Sequence, residues 1–165
     1  MATKKGIALT AAILGGITAA SFFVWFIPQD SGTKFVVSNY GEHLDGVIER
    51  HGVVADGIET QFQSMLNSNI SPEEYVTAAE LSSSQINALA IELVESDASQ
   101  EWHESYIFYI ESLKKYNSYL RETIVISNMI KGEESETEIQ QSIKGLDILK
   151  DESQLSALRS AETRP

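Results

Sequence analysis

The strongest constraint on the fold is an apolar run between Gly6 and Pro28 that contains no charged residue. Its 22 residues, Gly6–Ile27, would form a helix of roughly 33 Å, which is long enough to cross a bilayer core of about 30 Å. Lys4 and Lys5 precede the run, and the excess of positive charge on this side predicts a cytoplasmic N-terminus. The sequence therefore predicts a single-pass protein of the cell membrane with an extracytoplasmic C-terminal domain.

A cleaved signal peptide is the alternative interpretation of this run. Thr18-Ala19-Ala20 would supply the small residues that a cleavage site needs. The apolar run nevertheless continues for seven residues beyond Ala20, and its aromatic residues are typical of a membrane–water interface. These observations favour a retained anchor. The residues expected at the interface are Phe22, Phe23, Trp25 and Phe26.

Small residues recur within the run at a spacing of four, which places them in rows along one side of a helix. Such rows allow a second helix to approach closely within the lipid. The other interpretation is that Ala and Gly are simply frequent in membrane helices. We expect a helix–helix contact through the first row, Ala8, Ala12, Gly16 and Ala20, and its neighbour, Ala11, Gly15 and Ala19.

Charge and composition exclude several classes of partner and site. The part beyond Pro28 holds all 24 acidic residues but only 10 of the 12 basic ones, a net charge of −14. This charge argues against binding to nucleic acid or to anionic lipid headgroups. The chain has no cysteine, which excludes disulfides, thiolate nucleophiles and zinc–thiolate sites.

After a short polar hinge at residues 29–34, helical periodicity dominates. We predict an extracytoplasmic antiparallel bundle of three to four helices over residues 35–150, followed by a C-terminal tail at 151–165 that frays or docks elsewhere. The fold class is thus all-α, with one N-terminal transmembrane helix over residues 1–28.

The first helix of the bundle is predicted over residues 35–67 and contains four glycines. Each costs about 1 kcal/mol relative to alanine in a helix, so their presence needs a reason. One interpretation is close packing against another helix, either within this chain or in a partner; the other is that this region is broken or mobile. The glycines are Gly41, Gly46, Gly52 and Gly57.

The boundaries of the later helices follow from local capping signals. Ser71, Pro72 and Glu74 form the pattern of a capping box, which predicts a helix that ends near Glu95. Residues 96–99 are predicted to form a turn and to cap the third helix, which should end near Ile130. The pattern recurs from residue 135 and predicts a shorter fourth helix, and Leu155 and Leu158 lie on a possible last turn within the tail that follows it.

The three histidines are the candidates for a metal site, and their spacing argues against one. Bundle di-iron sites use Glu-x-x-His pairs, and no such pair is present. His43, His51 and His103 are therefore only weak candidates for metal ligands, and His51, on the apolar stripe of the first helix, is expected as a hydrogen-bonded residue of the core or at an interface. We predict no metal, no cofactor and no small-molecule substrate.

Four tyrosines of the third helix could line a ligand groove, although such residues more often form a core or a subunit contact. They are Tyr106, Tyr109, Tyr116 and Tyr119. The sequence has no nucleophile elbow, phosphate-binding loop or dinucleotide fingerprint. The paired glutamates lie at predicted helix starts, where the helix dipole accounts for them.

The Lys-Lys start and the segment SFFVWFIPQ, before an acidic helical domain, resemble single-pass membrane proteins of ammonia-oxidising archaea. These include helical accessory subunits of the ammonia monooxygenase complex. The resemblance implies a non-catalytic subunit that packs beside copper-containing membrane subunits. No copper ligand transfers to this chain, because no matching motif is visible.

Three functions follow as hypotheses. The first is a non-catalytic accessory subunit of a membrane complex, whose partners are the bilayer and other integral membrane subunits. The second is a membrane-anchored ligand-binding or sensory bundle, and the third, disfavoured by the histidine spacing, is a metal-dependent enzyme.

Overall fold

The computed structural model describes residues 37–165, and within this range it contains four α-helices and no strand. These residues belong to one compact unit. The chain is therefore all-α over its described part, as predicted. The helices are α1, Tyr40–Leu66; α2, Pro72–Glu95; α3, His103–Lys131; and α4, Glu136–Glu162.

The predicted anchor (1–28) and hinge (29–34) lie outside the described residues, so the membrane helix stays a prediction. Of the four described helices, none combines the length and the apolar character that crossing a bilayer requires. The residues predicted for helix packing and the membrane interface also lie outside the described range: Ala8, Ala12, Gly15, Gly16, Ala19, Ala20, Phe22, Phe23, Trp25 and Phe26.

Helix α1 begins five residues later than predicted, because Asn39 caps it. The Asn39 Oδ1 accepts hydrogen bonds from the backbone N–H groups of Gly41, at 3.1 Å, and Glu42, at 3.2 Å. The helix then runs without a break for 27 residues despite its four glycines. The prediction of a broken region is therefore wrong.

Only one of the four glycines of α1 lies against another part of the bundle. A Cβ atom on Gly41 would lie 3.1 Å from the Trp102 ring, which is tighter than ordinary contact. A Cβ on Gly46, Gly52 or Gly57 would meet nothing within 4 Å in the described part of the chain. Close packing inside the bundle is thus wrong for these three, and contact with a partner stays a prediction.

Helix α2 begins at the predicted capping box and ends at the predicted residue. The Ser71 Oγ accepts from the Glu74 backbone N–H at 3.2 Å, and the Ser71 N–H donates to the Glu74 carboxylate at 2.9 Å. Pro72 occupies the first helical position, where its missing N–H costs no hydrogen bond. Both signals involve residues that are adjacent in the chain, which explains why the start of α2 could be predicted from the sequence.

The turns between helices use non-glycine residues in the left-handed region. Ser68, Asp97 and Glu133 have φ values of 58°, 50° and 55°, one in each turn. The predicted cap of α3 within residues 96–99 is wrong: Trp102 is the N-cap and makes no side-chain hydrogen bond to the helix. Ser96 instead closes α2, where its hydroxyl donates to the Leu93 carbonyl at 2.7 Å.

Helix α3 is the centre of the bundle and contacts each of the other three helices. It runs antiparallel to α2, because Tyr75 bonds Thr123 at 2.6 Å while Ser127 bonds the Pro72 carbonyl at 3.0 Å. The successive helices thus form an up-and-down bundle. The side of α3 that faces the other helices is buried, and includes Tyr106, Tyr109, Leu113, Tyr116 and Leu120.

Helix α4 is longer than predicted and continues through the segment assigned to a tail, to Glu162. Its contact with α3 is made by buried serines: the Ser153 hydroxyl donates to the Ser112 carbonyl at 2.9 Å, and the Ser105 hydroxyl donates to the Ser160 carbonyl at 2.7 Å. Such small side chains let the two helices pack closely. Leu155 and Leu158, predicted on a last turn, lie on the exposed side.

Candidate functional site

The seam between α1 and α4 is bridged by side chains and not by close backbone packing. No Cα atom of α1 lies within 8 Å of a Cα atom of α4, both of which are fully described. Two ion pairs span the seam: Asp45 to Arg164 at 2.8 Å and Glu59 to Lys150 at 3.3 Å. Asp45 and Glu59 are 14 residues apart on α1, so the two pairs lie about 21 Å apart along this helix, and Arg164 follows the end of α4.

Between these ion pairs lies a groove of about 230 Å³ with α3 as its floor. We call it the α1–α4 groove. Most of the side chains that line it carry a polar or charged group, and we therefore take it as the candidate site. The residues that carry its chemistry are His51, Glu59, Ser112, Tyr116, Lys150 and Ser153.

His51 lies largely buried where the groove meets α3. Its Nδ1 lies 2.9 Å from the Tyr109 hydroxyl, and its ring makes an edge contact with the Tyr116 ring at 4.8 Å between centroids. The Nε2 atom is buried without a hydrogen-bond partner in the described part of the chain. Burial lowers the pKa of His51 to about 4, so the imidazole is neutral at pH 7.

Glu59 forms the acidic end of the groove. Its Oε2 accepts from the Tyr119 hydroxyl at 2.7 Å and from Lys150 at 3.3 Å, and Gln63 donates to Oε1 at 3.2 Å. Burial alone would raise the pKa of Glu59, but these hydrogen bonds and the Lys150 charge together lower it. Glu59 is therefore ionised at neutral pH, and burial together with this carboxylate raises the pKa of Tyr119.

The arrangement places a neutral imidazole, a carboxylate and an ammonium in one groove. These groups can bind a small polar molecule by hydrogen bonds and charge, provided that it fits within about 230 Å³. Sequence analysis missed Glu59, Lys150 and Ser153, because they belong to two helices that are distant in the chain. No local pattern could have joined them.

A second polar cluster lies between α1 and α2. Arg50 donates to both oxygens of Glu92, at 2.8 and 2.7 Å, and His43 Nε2 lies 3.0 Å from Glu92 Oε1. His43 Nδ1 lies 2.9 Å from the Tyr106 hydroxyl, which donates to the Tyr40 carbonyl at 3.0 Å. Hydrogen bonds from Arg50 lower the pKa of Glu92 despite the opposing effect of burial. This cluster joins α1, α2 and α3.

The three histidines occupy different environments. His43 and His51 lie on α1 and bond tyrosines of α3, whereas His103 is exposed at the first residue of α3. Within residues 37–165 no three His, Asp or Glu side chains lie close enough together to hold a metal ion. His51 is partly buried: it contacts Tyr109 and Tyr116 and also lines the α1–α4 groove, so it lies at the edge of the core.

The four tyrosines of α3 are buried, so the interpretation of a core series is correct for all of them. Tyr116 also lines the α1–α4 groove, so the ligand-groove interpretation stays open for that residue. Hydroxyl groups of this tyrosine series form hydrogen bonds that link α3 to α1, including those between Tyr109 and His51 and between Tyr119 and Glu59.

Comparison with known proteins identified no relative of this chain. No family model, no curated protein and no solved structure matches this chain.

Proposed function

We propose that this chain is a structural subunit of a membrane protein complex, held in the bilayer by its N-terminal helix. The observation that carries the proposal is the uncharged 22-residue run Gly6–Ile27, which precedes a compact unit beginning at Phe35. Exposure of such a long uncharged run to water is unfavourable, and its transfer into lipid lowers the free energy.

The bundle offers a surface on α1 for the contacts that such a subunit would make. Gly46 and Gly57 lie on the outer side of α1, where an added Cβ would meet nothing within 4 Å among residues 37–165, and Val53 between them is 70% exposed. A helix of a partner could approach this side closely, because the two glycines have no side chains. The resemblance to accessory subunits in ammonia-oxidising archaea fits the same role and suggests copper-containing membrane subunits as partners.

Native membranes solubilised in mild detergent provide the test. The band that contains this chain is separated on a native gel and its proteins are identified by mass spectrometry. Co-migration with larger integral membrane subunits is expected, and migration as a free monomer or homodimer would refute the proposal.

Variants within the apolar run sharpen this experiment. Gly16→Leu fills the small-residue row and should weaken co-purification, because a second helix could no longer approach closely. Ile17→Leu is the matched control, since it preserves apolar character off both rows. Equal loss in both variants, or in neither, would argue against packing through the row.

The α1–α4 groove favours a second candidate, a ligand-binding bundle. Thermal unfolding of the full-length chain would be followed in the presence of each of the twenty amino acids, whose size suits the groove. A ligand should raise the unfolding temperature of the native chain and of Ala161→Leu, an exposed control, but not of Ala55→Leu, which fills the groove. No shift with any probe would remove support for this candidate.

A further inference from the structure

The α1–α4 groove is a space that the described part of the chain leaves unfilled. No Cα atom of α1 lies within 8 Å of one of α4, and the groove between the two helices holds about 230 Å³. Its walls include the small side chains of Ala55 and Ala157, and its floor includes Ser112 and Tyr116. A long, narrow side chain from another molecule therefore has room to enter.

Carboxylates without a partner lie along both helices that form the groove. On α1, Asp56 lines the groove, and Glu49 lies two turns before it on the same side of the helix. On α4, Asp147 and Asp151 precede the groove residue Gln154 by seven and three residues, so they lie on its side of the helix. All four acidic residues are exposed, and their carboxylates make no ion pair or hydrogen bond within residues 37–165.

The basic residues near the groove do not balance these carboxylates. Lys150 and Arg164 are already paired, with Glu59 at 3.3 Å and with Asp45 at 2.8 Å. Lys144 is unpaired in the described part of the chain, but one ammonium does not balance four carboxylates. The chain as a whole has a net charge of −12, so attraction at long range also favours a cationic partner.

The side chain of Lys150 shows how this surface holds a cation. Its Nζ lies 3.3 Å from the Glu59 carboxylate and 6.0 Å from the centroid of the Tyr119 ring. A carboxylate and an aromatic ring both attract an ammonium, and the aliphatic stem of lysine packs on apolar surface. Asp56 and Tyr116, each three residues earlier in its helix, both line the groove, and no basic side chain within residues 37–165 pairs with Asp56.

We propose that the α1–α4 groove receives a lysine or arginine side chain from a basic segment of a partner protein. The aliphatic stem lies between Ala55 and Ala157, and the cation pairs with the Asp56 carboxylate beside the Tyr116 ring. Further basic residues of the segment meet Glu49 and the carboxylates of α4. This inference rests on the proposed role as a structural subunit, since it names the chemistry of a partner within the complex.

The test measures the binding of a basic peptide to the full-length chain in mild detergent. The probe is a fluorescein-labelled peptide in which arginine alternates with alanine, and fluorescence anisotropy reports its binding. We expect saturable binding that weakens with added salt, because the contacts are between charges. The same peptide with glutamine in place of arginine is the control and should not bind.

Two pairs of variants locate the binding site. Ala55→Leu fills the groove without changing the charge and should weaken binding about fivefold or more, whereas Ala88→Leu, at an exposed position on α2, should leave it unchanged. Asp56→Asn should weaken binding about fivefold. Glu133→Gln removes the same charge in the turn between α3 and α4, and should change binding by less than about twofold.

Three results would overturn the inference. The first is a peptide that does not bind, and the second is unchanged binding to Ala55→Leu. The third is equal weakening by Asp56→Asn and Glu133→Gln, which would mean that only the net charge attracts the peptide. Circular dichroism checks the helices of each variant, and if Ala55→Leu does not fold, the comparison of the two charge variants decides. None of these results changes co-migration on the native gel, so the structural role is judged separately.

Discussion

Acidification from pH 7 to pH 4 should destabilise the bundle through His51. The ring is largely buried against Tyr109 and Tyr116, and its pKa falls from about 6.5 to about 4 on folding. The unfolded chain therefore binds a proton at this residue more readily than the folded chain does. Stability is complete above pH 6.5 and is lost as the pH falls toward 4.

The size of the effect follows from the two pKa values. The difference corresponds to about 3 kcal/mol of unfolding free energy in total, of which about 2 kcal/mol is already lost at pH 5. Glu92 and Glu59 also have lowered pKa values, so their protonation removes further stability below about pH 4.5. The interval between pH 6.5 and 4.5 thus isolates the histidine from these two carboxylates.

Urea unfolding of the native chain and of His51→Asn, measured between pH 8 and 4, tests this reasoning. Asparagine places a polar atom near the position of Nδ1 and cannot take up a proton. The variant will be less stable than the native chain at pH 7. Between pH 8 and pH 4, however, its free energy of unfolding should fall by about 3 kcal/mol less than that of the native chain. Parallel curves for the two proteins would refute the argument, and His103→Asn, at an exposed position, is the control.

Three further predictions concern the stability of the bundle, and urea unfolding at pH 7 measures all of them. Gly57→Ala should raise the free energy of unfolding by about 1 kcal/mol, because the added Cβ meets nothing within 4 Å in the described part of the chain. Gly41→Ala should raise it by less, because its Cβ would press on the Trp102 ring, and equal increases in the two variants would contradict this. Ser153→Leu should cost about 2 kcal/mol or more, since it forces a large side chain between α3 and α4, and a neutral effect would mean that this contact is looser than described. Glu92→Gln should cost about 1 kcal/mol by weakening the bond to Arg50, and this loss should shrink in 1 M salt.

The parts of the fold that local chemistry controls could be predicted from the sequence. Ser71, Pro72 and Glu74 satisfy the free N–H groups of α2 among themselves, so its start follows from four consecutive residues. The stripe of α3 was equally clear because large apolar residues mark its buried side. All-α architecture and antiparallel order followed from these helices and their short turns.

The end of α4 and the α1–α4 groove could not be predicted, for a different reason. The last turns of α4 pack on α3 through Ser153 and Ser160, because close approach of two backbones favours small side chains, and Leu155 and Leu158 are exposed. Without large apolar residues on the packed side, the sequence predicted a tail where the helix in fact continues. The groove forms only when α1 and α4 lie side by side in the folded bundle, and no residue spacing along the chain predicts that arrangement.

The seam between α1 and α4 has a mechanical consequence. Long side chains span it and the backbones stay apart, so Asp45 and Glu59 reach Arg164 and Lys150 without backbone contact between the two helices. Helices α3 and α4, by contrast, pack closely through buried serines. Displacement of α1 relative to α4 should therefore cost less free energy than displacement of α3 relative to α4, because it breaks no close helix–helix packing.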